Sequence, residues 1–72
     1  MTRKQFAMFI KVLRETCEAS LNGDLYSIRP RVGSVYELCY HSKGRMVKLH
    51  VGKYDDCVEA ASDFVSNSYE IS

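Results

Sequence analysis

Residues 35–51 read Val-Tyr-Glu-Leu-Cys-Tyr-His-Ser-Lys-Gly-Arg-Met-Val-Lys-Leu-His-Val. Side chains alternate between the two faces of a strand. Tyr36, Leu38 and Tyr40 therefore share one face, and Glu37, Cys39 and His41 the other. Ser42-Lys-Gly-Arg45 has the composition of a hairpin loop. In the returning strand Val47, Leu49 and Val51 are expected inward, and Met46, Lys48 and His50 outward. Directly opposed residues point to the same side of a sheet. A loop at 42–45 thus pairs Tyr40 with Val47, Leu38 with Leu49 and Tyr36 with Val51. On the opposite face it pairs Glu37 with His50 and Cys39 with Lys48.

A strand also precedes this hairpin. In residues 25–31, Leu-Tyr-Ser-Ile-Arg-Pro-Arg, Tyr26 and Ile28 point inward, and Ser27, Arg29 and Arg31 outward. Pro30 has no N–H to donate, so an edge strand is expected. A turn at 32–34 around Gly33 pairs Ile28 with Leu38 and Arg29 with Glu37. The outer face then carries a row of Arg29, Glu37 and His50, with Arg31, Lys48 and His41 nearby.

Helices flank the strands. Thr2-Arg-Lys-Gln5 has the form of a capping box. Phe6, Phe9, Ile10, Leu13 and Cys17 follow at helical spacing. Asn22-Gly23 reads as a stop, which puts the first helix at about residues 3–20. After Gly52, Asp55 or Asp56 is the expected cap of a second helix, with Asp56 and Glu59 forming a second box. Its buried stripe is Val58, Ala61, Phe64 and Val65, and it fades near Ser66-Asn67-Ser68. The expected fold is α+β, ordered α-β-β-β-α, in one domain spanning 1–72. The N-terminal helix lies within 1–21. A three-stranded antiparallel meander and the C-terminal helix that covers it occupy 25–66. The pattern leaves open which sheet face the first helix covers.

Composition narrows the function. The 72 residues permit one small core and little cleft. No apolar run is long enough to span a membrane, and no secretory leader is visible, so a cytoplasmic protein is expected. Cys17, Cys39 and Cys57 are odd in number and widely spaced, which suits reduced thiols rather than a disulfide framework or a zinc site. Cys39, His41 and His50 are the sole conceivable metal set, and the predicted register sets Lys48 among them, so no metal is expected. Cys39 and His41 lie on an exposed strand face with no cleft or third group, so no enzyme is expected. The four glycines are isolated at turns, which argues against a phosphate loop. No cofactor follows from the sequence.

Charge is divided. All ten Lys and Arg fall in residues 1–53, against four acids, whereas residues 54–72 hold five acids and no base. That division permits one basic face on a nearly neutral molecule.

Residues 49–65, Leu-His-Val-Gly-Lys-Tyr-Asp-Asp-Cys-Val-Glu-Ala-Ala-Ser-Asp-Phe-Val, resemble the end of the Apetala-two/ethylene-response-factor DNA-binding domain. The resemblance rests on Val51, Gly52, Tyr54, Asp55, Glu59, Ala60, Ala61 and Phe64. Upstream it includes Tyr26, Ile28, Arg29 and Gly33. It covers residues 26–65, and similar small domains occur in phage homing endonucleases and integrase arms. It implies a three-stranded sheet laid in the major groove, read by Arg, Trp and Glu from the outer face. This chain has no tryptophan, and its N-terminal helix is additional. The double-stranded RNA-binding domain shares the order α-β-β-β-α, but its second helix opens on bases rather than Asp55-Asp56.

The expected function is a small non-enzymatic nucleic-acid-binding protein that uses the outer sheet face. Duplex DNA is the first-choice partner. Arg29 and Arg31 would contact bases or phosphate, assisted by Lys48 and His50. Glu37 would orient Arg29 or accept from a cytosine amino group, and Arg45 and Lys53 would touch phosphate. The alternative is a small phage-type inhibitor, anti-CRISPR or another anti-defence or host-takeover protein, that binds a host protein or nucleoprotein complex. Pairing of edge strands into a homodimer is a further possibility of the pattern.

Overall fold

A computed structural model describes all 72 residues. The element order is α1 (Arg3–Thr16), β1 (Glu18–Leu21), β2 (Asp24–Pro30), β3 (Tyr36–Ser42), β4 (Arg45–Gly52) and α2 (Tyr54–Ser68). The four strands form one antiparallel meander in the order β1-β2-β3-β4. The α+β class is as expected, but the sheet has a fourth strand.

That strand replaces the end of the predicted first helix. The Thr2 capping box forms as expected, with Thr2 and Gln5 exchanging side-chain and backbone hydrogen bonds of 3.1 and 2.9 Å. The helix stops at Thr16, where Cys17 takes a left-handed conformation at φ 65° and its N–H bonds the Leu13 carbonyl. Asn22-Gly23 does not stop a helix. With φ values of 51° and 86° it makes a two-residue hairpin turn between paired Leu21 and Asp24. Two successive positive φ values match the right-handed twist of antiparallel strands, the reason Asn-Gly is favoured there. Lys43-Gly44, at φ 50° and 78°, turns the β3–β4 hairpin in the same way.

β1 makes β2 an internal strand, contrary to the edge position inferred from Pro30. Proline is tolerated because β1 pairs only with residues 24–27. The Ile28 N–H donates toward the β1 side, to the Cys17 carbonyl at 2.8 Å. Two residues on, Pro30 turns its nitrogen to the same side, beyond the last partner.

The predicted β2–β3 register is observed, including Ile28 opposite Leu38 and Arg29 opposite Glu37. Between β3 and β4 it holds from the turn to Cys39 opposite Lys48. A bulge then inserts Leu49, so Leu38 faces His50 and Glu37 faces Val51. The extra residue moves the remainder of β4 by one place, which exchanges its faces.

Both helices pack on one face of the sheet. Phe9 and Leu13 of α1 and Cys57, Val58, Ala61 and Val65 of α2 share a core with Tyr26, Ile28 and Leu38. Tyr26 is central: its ring meets Phe9 edge-on at 5.0 Å and lies 5.0 Å from Tyr40 and 6.1 Å from Phe64. Tyr54 ties the helices together. Its hydroxyl donates to the Arg14 carbonyl and lies 3.4 Å from Cys17 Sγ, at the end of α1 where carbonyls lack helical partners. Burial, with the Cys17 contact, pushes the Tyr54 hydroxyl up to about 12. The α2 cap is Lys53, not Asp55 or Asp56, and no side chain completes a cap bond. The two aspartates sit instead in the first turn, where the helix dipole favours negative charge. No helix is long and apolar enough to cross a membrane.

Candidate nucleic-acid interface

The other sheet face carries no helix. Across it run Arg29, Glu37 and Val51 in one row, Glu18, Ser27, Cys39 and Lys48 in the next, and Ser20, Leu25, His41 and Met46 in a third. Ser27 and Cys39 are buried although nothing packs above them. Both are small, and the longer Arg29, Glu37, His41 and Lys48 ring them. The Ser27 hydroxyl has no hydrogen-bond partner.

Glu37 anchors the cations. Its carboxylate lies 3.0 Å from Lys48 Nζ and 3.8 Å from an Arg31 guanidinium nitrogen. The Lys48 hydrogen bond holds the Glu37 carboxyl below its ordinary range, with Arg31 and Arg29 adding to the effect. Arg29 stands within salt-bridge range of no carboxylate. Its nearest polar partner is His41, whose Nε2 lies 3.5 Å away. Arg29 is thus an exposed guanidinium beside a ring nitrogen, with its donors open to a ligand.

At the other end of β3, the Tyr40 hydroxyl donates to Asp24 at 2.8 Å. Hydrogen bonds from Ser42 and Tyr40 hold the Asp24 carboxyl below its usual 3.8. Glu37 and Asp24 thus both have lowered pKa values in the fold. Their contribution to stability is complete above the unfolded carboxylate range and is lost as pH falls through the folded values. The urea midpoint, followed by circular dichroism, is expected to stay level from about pH 8 to 5.5 and fall below about pH 4.5. In Glu37→Gln the acid-side fall is expected to be smaller.

The structure brings together four of the seven residues assigned from sequence: Arg29, Arg31, Glu37 and Lys48. It separates the other three. The bulge turns His50 to the helix side, where it lines a shallow concavity with Asp56, Glu59 and Asp63 of α2. Val51 takes the outer place intended for it. Arg45 pairs with Ser42 at the hairpin tip and shares the helix-side parity of Val47, near Lys43. Lys53 leaves the sheet to cap α2. His41 also belongs to the face, opposite Leu25 and Met46, and its alternation with Glu37 and Cys39 is the sequence signal that includes it.

The arrangement can hold an anion, or a chain of anions, across Arg29, Arg31 and Lys48. No His, Cys, Asp or Glu cluster suited to a metal ion is present. No family model matches the chain, and neither does any curated protein or solved structure at a significant level.

Proposed function

We propose that the protein binds nucleic acid, with duplex DNA as the preferred form, through the helix-free face of its sheet. The observation that carries this reading is the placement of both helices on the opposite face. That leaves Arg29, Arg31 and Lys48 in open solvent on a rigid surface. Arginine offers a planar fork of donors to phosphate or to the guanine edge. Glu37 holds Arg31 and Lys48 at fixed distances, so the cations are presented with little freedom to lose on binding. The similarity of residues 26–65 to sheet-based DNA readers suits the same face.

Arg29→Ala combined with Arg31→Ala is expected to weaken duplex DNA binding at least about tenfold, as for loss of two phosphate or base contacts. Fluorescence anisotropy with a labelled duplex reads this directly. Lys4→Ala, on α1, is the control and is expected to leave affinity within about twofold. Unchanged affinity in the double variant would remove this face from consideration. A chain that binds no duplex even at low salt would point instead to a protein partner.

A further inference from the structure

The first strand has a free edge beside an apolar groove. Thr2, Gln5, Met8 and Val12 of the α1 side and Ala19 to Leu21 of β1 line an open groove of about 480 Å³. Met8 is 54% exposed and Val12 37% exposed, high for apolar side chains on a helix that packs against a core. The pairing of β1 fixes which of its backbone groups are open. The Cys17 carbonyl accepts from the Ile28 N–H at 2.8 Å, so Ala19 and Leu21, two and four residues on, turn their amides toward β2. Glu18 and Ser20 turn theirs away. The Glu18 carbonyl is met by the Thr16 hydroxyl at 2.8 Å. The Ser20 N–H and C=O have no partner in the ladder, the turns or the side chains.

An open strand edge flanked by an apolar helix face is the geometry that accepts an added strand. We propose that this groove binds an extended peptide segment of another protein as a fifth strand beside β1. Its backbone would pair with Ser20, and alternate apolar side chains would enter against Met8 and Val12. Charge specifies its flanks. Lys4 lines the groove and Lys11 lies seven residues on along the same helix stripe, but Glu15 follows on that stripe and Glu18 opens β1, so only the Lys4 end of the groove is basic. Neither lysine takes part in an ion pair, since Glu37 holds both salt bridges of the molecule. The peptide therefore carries its acid at the end that meets Lys4. A second copy of the chain, paired through the same strand edge, is the competing occupant, and a dimer seen by sedimentation of the free chain would count against the peptide.

The test uses the full chain and a phage-displayed library of random ten-residue peptides. The expected result is enrichment of peptides with alternating apolar residues and an adjacent acid. Their affinity should fall at least about tenfold in Ser20→Pro, which removes the outward N–H and leaves the β2 ladder intact. A similar fall is expected in Met8→Glu, a surface change that keeps the test open if the proline variant unfolds. In the free protein the Ser20 amide should exchange with solvent, and bound peptide should protect it. Arg29→Ala with Arg31→Ala should leave peptide binding unchanged, which separates this site from the nucleic-acid face. No enrichment, or peptides that bind Ser20→Pro and Met8→Glu as well as the parent, would overturn the proposal.

Discussion

Replacing Tyr26 with alanine is expected to leave the chain largely unfolded at 37 °C, whereas Tyr26→Phe is expected to leave it as stable as the parent or more so. Tyr26 is fully buried and touches aromatic rings from α1, β3 and α2. Truncating such a residue costs about 3–5 kcal/mol in transfer and cavity terms. A domain of this size has about 4–11 kcal/mol in all. The phenol oxygen behaves differently. It is buried with no hydrogen-bond partner. Desolvation raises its pKa far above the ordinary value, so it stays neutral and unsatisfied. Leaving a buried polar group unmade costs about 1–3 kcal/mol, which the phenylalanine avoids. The chain has no tryptophan, so urea melts are followed by far-ultraviolet circular dichroism. A phenylalanine variant that loses as much stability as the alanine variant would show that the hydroxyl has a partner in solution.

Leu13→Ala is expected to cost about 2–5 kcal/mol. Its significance lies in the standing of α1. The residue is fully buried in the core that α1 and α2 share over Tyr26 and Leu38. Tyr54 of α2 also bonds the end of α1. The helix is thus part of the fold and shares its core with α2 and the sheet. One cooperative transition at lower urea is expected. A variant that melts in two steps, with α1 lost first and the sheet unchanged, would make α1 an appendage. It would also weaken the inference that α1 keeps to the helix side.

Much of the β2–β3–β4 sheet was legible because alternation is local and each turn announced itself. Tyr26, Ile28 and Leu38 are the buried inner residues expected of them. β1 was not legible for a reason of length. Its two inward residues, Ala19 and Leu21, follow Cys17 at spacings of two and four. That pattern suits the next turn of a helix as well as a strand. Asn22-Gly23 has the same ambiguity, since both outcomes use positive φ. The bulge at Leu49 left no mark either. Val47, Leu49 and Val51 alternate perfectly, and only the tertiary packing brings Leu49 and His50 toward α2 and sends Val51 outward. That single inserted residue accounts for the loss of His50 from the candidate face. Arg29, Arg31, Glu37 and Lys48 survived because they precede the bulge or belong to the strands paired in the expected register.

The placement of helices on one side and exposed cations on the other is the core of the account. Its most direct test is the salt dependence of duplex DNA binding by the parent chain. Each phosphate contact on B-DNA contributes a slope of about −0.9 in log affinity against log salt. With Arg29, Arg31 and Lys48 engaged, a slope of about −3 is predicted, falling to about −1 when both arginines are replaced. Failure to bind at low salt, or a slope that the two arginines do not change, would contradict it.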